Sequence, residues 1–124
     1  ERILLVDDEV VVVNVTKQRL EILGYKVNDF ISVREALNEF EIDPYKYDLV
    51  MTDQAMPEMT GRIFAEKIKK IRDDIPVVLC TGYNSPSDAG DNSGKDIDEL
   101  LIKPVSLENL SAAIRKTLDK KSGH

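Results

Sequence analysis

Ile3-Leu4-Leu5-Val6-Asp7-Asp8 starts with four aliphatic residues and ends in two carboxylates. So short an apolar run with a polar stop reads as a strand covered on both faces. The same design returns three times. Leu49-Val50-Met51 leads to Asp53, Val77-Val78-Leu79-Cys80 to Thr81, and Leu100-Leu101-Ile102 to Lys103. If these runs are parallel strands, their C-terminal ends share one edge of a sheet, where open α/β folds bind ligands. Three carboxylates, a hydroxyl and an ammonium then converge, a set suited to a divalent cation and a phosphoryl group.

Apolar runs begin near residues 3, 26, 48, 77 and 99, and helical patterns lie between them. The spacing leaves room for a helix in each crossover, so a βα unit repeats five times. Val12, Val15, Leu20 and Leu23 are expected on the core face of a first helix that Gly24 ends. Ser32 and Glu35 form a capping-box pattern ahead of Ala36, Leu37 and Phe40. Phe64, Ile68 and Ile71 repeat at helical spacing and stop before Pro76. Ser106 is expected to cap a last helix that turns Leu107, Leu110, Ile114 and Leu118 inward. Lys26-Val27-Asn28-Asp29-Phe30 is polar enough for an edge strand. The fourth connection, Asn84 to Asp96, holds Pro86, Gly90 and Gly94 and predicts a short or frayed helix.

With 124 residues, 42% hydrophobic and 32% charged, the chain reads as one globular domain over 1–121, followed by a polar tail at 122–124 of the kind expression leaves behind. A formal charge of −6 without a basic stripe argues against direct nucleic-acid contact. No apolar run approaches the roughly 20 residues needed to span a bilayer, and no signal-peptide pattern opens the chain. One cysteine fits a reducing compartment, so a cytoplasmic location without membrane contact is expected. His124 is the only histidine, which removes histidine triads and metal cages. Any histidine chemistry belongs to a partner.

An adjacent acid pair at a strand end is often only a turn, and a strand-end lysine often only a surface ion pair. A third carboxylate, Asp53, changes that balance. It repels the other two, and a hard cation held by oxygen ligands relieves the repulsion.

From end to end the chain resembles a receiver (response-regulator) domain of two-component signalling. The resemblance is carried by Leu4 to Glu9, by Met51-Thr52-Asp53-Gln54-Ala55-Met56-Pro57-Glu58-Met59-Thr60-Gly61, by Cys80-Thr81-Gly82-Tyr83, and by Lys103-Pro104-Val105-Ser106-Leu107. The last two segments look most like C-terminal receivers of hybrid sensor histidine kinases. The fold so implied is α/β: a single doubly wound (βα)5 domain, flavodoxin-like, with a five-stranded parallel sheet of order 2-1-3-4-5. The resemblance further implies that Asp53 accepts a phosphoryl group from a phosphohistidine on a histidine kinase or histidine phosphotransfer domain. Asp8, Asp53 and the backbone carbonyl of Ala55 would hold Mg²⁺ or Mn²⁺, with Asp7 acting through water. Lys103 would pair with the phosphoryl oxygens, aimed by a cis Lys103-Pro104 bond, and Thr81 would hydrogen-bond one of them. The domain would then assist its own phosphorylation and dephosphorylation rather than act as a classical enzyme. Phosphorylation would alter partner binding on the face of the fourth connection and last strand, and a homodimer would use that face with the last helix.

Some positions depart from the family pattern. Leu100 stands where these domains usually carry Tyr or Phe, three residues before the lysine, leaving a threonine-led loop shift as the expected switch. Ala55 and Tyr83 flank the acceptor and cannot orient an attacking water, so a long-lived phosphoryl group is expected. Val10, Val11 and Val13 make the first helical turn apolar almost all round, and outward valines, Val11 and Val13 among them, are expected to contact the kinase.

Two further function classes fit the sequence less well. A receiver-like module used only for protein contact would have lost a site residue, and all five are present. An Mg²⁺-dependent phosphatase needs a general acid two residues after its nucleophile, where Ala55 stands. A stand-alone regulator is the alternative to a hybrid kinase.

Overall fold

The computed structural model describes residues 1–82, 96–103 and 105–122. In chain order these form β1 (Arg2–Val6), α1 (Val10–Ile22), β2 (Lys26–Phe30), α2 (Val33–Ile42), β3 (Leu49–Asp53), α3 (Gly61–Ile71), β4 (Val77–Thr81), β5 (Glu99–Ile102) and α4 (Leu107–Ser122), with a 3-10 turn at Pro44–Lys46. Each strand begins within a residue of its expected start. The weak helix expected in the fourth connection, Tyr83 and the Lys103-Pro104 bond lie outside the described residues. Among the described residues no helix is long and apolar enough to cross a membrane.

All four strand pairings are parallel, in the order β2-β1-β3-β4-β5. From β1 the chain steps outward to β2, then crosses back to β3 and continues on the other side. The order therefore reverses between β1 and β3, and a crevice forms outside their C-terminal ends. Asp7-Asp8 follow β1 and Asp53 ends β3, so the topology alone puts all three carboxylates at the switch point.

Alternate residues of the central strands feed two cores. Ile3 and Leu5 pack with Val13, Leu20, Leu110 and Ile114 under α1 and α4. Leu4 and Val6 pack with Ala36, Phe40, Phe64 and Ile68 under α2 and α3. β1 and β3 are buried throughout their apolar length, as double cover requires. β2 is an edge strand with no fully buried residue, as its polar sequence suggested. β5 is the other edge, and of its residues only Leu101 is buried.

Local chemistry sets the helix ends. Ser32 Oγ accepts the Glu35 N–H and Ser106 Oγ the Asn109 N–H, as expected of both caps. Thr60 caps α3 in the same way through Ile63. At the end of α1, Gly24 adopts φ +98°, while Gly24 N–H donates to Glu21 O and Tyr25 N–H to Leu20 O. That pairing is a Schellman motif, whose left-handed residue is most easily a glycine.

Two expectations about helix faces need correction. α1 buries Val13 and Leu20, seven residues and two turns apart, while Val15 is 43% and Val11 74% exposed. Val13 is therefore core, and the outward valines are Val10, Val11 and Val15. A run of four valines carries no phase of its own; the register comes from Leu20 and the Gly24 stop. Leu107, expected inward, is 39% exposed on the first turn of α4.

Candidate functional site

The edge at the switch point is built from strand ends. Val6 lies level with Thr52 across β1 and β3, and Asp53 with Cys80 across β3 and β4. Thr81 lies level with Ile102, so Lys103 begins one residue beyond the ladder. Its N–H still donates to Thr81 O at 2.8 Å. Backbone register thus delivers the expected residues to one place before any side chain is considered.

Each of Asp7, Asp8 and Asp53 offers an oxygen, and these oxygens all lie within 4.8 Å of one another. Asp7 and Asp53 are buried, and Asp8 reaches toward solvent. Lys103 Nζ sits 2.6 Å from Asp53 Oδ1 and 3.1 Å from Asp7 Oδ2. One ammonium therefore bridges two carboxylates. Asp7 is held further by the Glu9 N–H, which donates to its Oδ1 at 3.0 Å. Thr81 is buried at the end of β4. Ala55 lies exposed in the loop after β3.

Charge and burial compete here. Desolvation pushes the Asp53 carboxyl above the ordinary aspartate range; the bond from Lys103 opposes this, and the charge of Asp7 adds to it. Burial works against the Lys103 ammonium, but its bond to Asp53 and the charge of Asp7 outweigh that and raise its pKa. Burial drives the Cys80 thiol up to about 12, which leaves it a packed thiol without nucleophilic character, as its apolar strand suggested.

Three supporting residues carry roles that the strand-end pattern did not reveal. Gly61 opens α3 directly against β3. A Cβ there would fall 2.3 Å from Asp53 O and 2.5 Å from Leu79 Cδ1, so only glycine permits this approach. Gln54 ties the same junction: its N–H donates to Cys80 O, its O accepts from Gly61 N–H, and its Oε1 accepts from Arg62 N–H. Thr52 Oγ1 donates to Asp53 O at 3.0 Å. The one visible signal was Gly61 immediately after a helix-capping Thr60. A cavity of about 520 Å³ includes the site itself, with Asp7, Asp53 and Lys103 in its lining, and extends along α1 to the β5–α4 loop past Val12, Arg19 and Val105.

A doubly wound sheet with this acidic cluster at its switch point has the CheY-like receiver fold. The family model for the response regulator receiver domain matches residues 3–115, and the chain belongs to that family, the receiver domains of two-component signalling. It is similar to the probable transcriptional regulator ycf27 of Porphyridium aerugineum, at 32% identity over 95% of this chain and 48% of that protein. It is also similar to the aerobic respiration control sensor protein ArcB of Escherichia coli, at 34% identity over 94% of this chain and 15% of that protein. The crystal structure of the response regulator TrrA from Thermotoga maritima, in complex with Mg²⁺-BeF, matches with a TM-score of 0.86 at 32% identity, covering 95% of this chain and 99% of that one. The chain spans about half the length, or less, of these curated relatives.

Proposed function

We propose that this domain is a phosphoryl-accepting switch that takes its phosphoryl group from a phosphohistidine on a histidine kinase or phosphotransfer domain. The observation that carries the reading is Lys103 Nζ at 2.6 Å from an Asp53 carboxylate that shares its pocket with Asp7 and Asp8. An Asp53 oxygen attacks phosphorus, the O–P bond forms as the N–P bond breaks, and the leaving imidazole takes up a proton. Lys103 follows the transferred oxygens and neutralises their charge, and the Thr81 hydroxyl donates to one of them. Asp7, Asp8 and Asp53 fit a hard cation, being oxygen donors whose mutual repulsion such a cation relieves. Asp8 and Asp53 would hold Mg²⁺ or Mn²⁺ directly, joined by the Ala55 carbonyl, with Asp7 acting through water. When bound, the metal supplies charge neutralisation for the phosphoryl oxygens; the TrrA structure with Mg²⁺-BeF supports that assignment.

The domain promotes its own phosphorylation and dephosphorylation and turns over no separate substrate. Ala55 offers no acid or amide to steer water, so the acyl phosphate is long-lived. Val11 and Val15, four residues apart on one face of α1, form the apolar rim that the partner meets. Ile102 and Leu107, 41% and 39% exposed at the β5–α4 edge, support a homodimer contact on that side. The domain works in the cytoplasm, without nucleic acid or membrane.

Similarity to 15% of the length of the sensor protein ArcB supports a place within a longer sensor, here read as a hybrid histidine kinase. Coverage of 99% of the TrrA chain supports the alternative, a stand-alone regulator. Incubation with a phosphotransfer domain carrying radiolabelled phosphohistidine tests the central reading. Label should pass to the wild type and not to Asp53→Asn; equal labelling of both would overturn it.

A further inference from the structure

Arg19 lies in the last turn of α1, and no role assigned above uses it. Its guanidinium crosses to the loop between β5 and α4, where Nη1 donates to the carbonyl of Val105, 86 residues along the chain. Val105 stands outside both elements, just before the Ser106 cap of α4. Val105 is partly buried against the core cluster that includes Leu20 of α1, so the loop rests on apolar contact as well as on this bond. Arg19 and Val105 both border the 520 Å³ cavity, with Leu5, Met51 and Leu110 on its other walls. The hydrogen bond from the charged guanidinium is the polar tie between helix and loop beside that contact.

Lys103 lies two residues upstream of that carbonyl. Its own N–H is fastened to Thr81 O at 2.8 Å. The backbone that carries the lysine is therefore pinned on both sides, by the sheet before it and by Arg19 after it. We propose that Arg19 is a positioning residue for Lys103, holding the β5–α4 loop at the spacing that sets the ammonium on Asp53. The inference deepens the proposed function and rests on Lys103 as the partner of the phosphoryl oxygens.

Two variants test it. Arg19→Met keeps the apolar stem and deletes the donors; Arg19→Lys keeps the charge and one donor group. Labelling by an amine-reactive reagent, read on the Lys103 peptide without metal or phosphodonor, should be about fivefold faster in Arg19→Met, with exposed Lys26 unchanged as the internal control. Phosphorylation by subsaturating acetyl phosphate should fall about tenfold. Mg²⁺ affinity should hold or rise, because the lysine and the cation compete for the same oxygens. General damage to the fold would weaken Mg²⁺ binding as well. Arg19→Lys should restore most of both readouts. Wild-type labelling and phosphorylation in a folded Arg19→Met overturn the proposal. Should that variant not fold, Arg19→Gln, whose amide is too short to reach Val105, carries the same comparison. A wild-type chain that takes no phosphoryl group contradicts the proposed function, and the labelling comparison still decides the role of Arg19.

Discussion

Asp53 is buried beside two like charges and one opposite charge, and its pKa records that burial prevails. A carboxyl whose folded pKa exceeds its unfolded one binds its proton more tightly when folded. It lowers stability at neutral pH, where both states are ionised, and that penalty disappears as pH falls to about 4 and below. Without Mg²⁺, Asp53→Asn should therefore melt higher than the wild type at pH 7, with the gap closing in acid. A gap that widens on acidification would refute this. Lys103 has the complementary sign: its raised pKa contributes stability that is complete below the ordinary lysine value and lost as pH rises through the folded one. Lys103→Met leaves the carboxylates without a counter-charge. It should lower metal-free stability by about 2 kcal/mol, tighten Mg²⁺ binding, and slow phosphoryl uptake by about 100-fold. Calorimetry and uptake rates read all three. Asp7, Asp8, Asp53, Thr81 and Lys103 were legible because each follows an apolar run, and parallel strands bring polar stops that mean little singly to one sheet edge. Arg19 was not legible, since its partner is a backbone carbonyl, and carbonyls leave no trace in side-chain pattern.

Among the elements, α3 and α1 show opposite limits of sequence reading. Phe64, Ile68 and the partly buried Ile71 marked the inward face of α3 correctly, because charged residues separate them. In α1 the valine run hid the phase, and Val13 and Val15 exchanged their expected places. The corrected face makes a sharper prediction: Val11→Ser with Val15→Ser should slow transfer from a phosphohistidine partner about tenfold and leave uptake from acetyl phosphate unchanged. Equal loss with both donors would place the valines in the fold and not in the contact. The α3–β3 junction carries a second prediction. Gly61→Ala forces a methyl against Asp53 O and Leu79 Cδ1, so it should cost about 2 kcal/mol and weaken Mg²⁺ binding. Adding Leu79→Val should recover part of the melting temperature but not the metal affinity, since the backbone clash remains. Full recovery of both would show that the clash with Leu79 was the whole effect.

For the molecule as a whole, function follows from the reversal of strand order between β1 and β3. The strand starts and the alternation of helices were readable from apolar runs, and the order 2-1-3-4-5 came with the family resemblance. Edge character was half readable: β2 announced it through Asn28 and Asp29, whereas Leu100-Leu101-Ile102 looked as buried as any central run. Its position at the sheet edge, not its composition, leaves Ile102 open. Leu100 is partly buried within β5. Phosphoryl acceptance at Asp53 is tested first by the intact mass of wild type and Asp53→Asn after incubation with acetyl phosphate, with and without Mg²⁺. One phosphoryl adduct of about 80 Da is expected on the wild type, dependent on Mg²⁺ and absent from the variant. An adduct of the same size on Asp53→Asn, or one that forms equally without the metal, would contradict it.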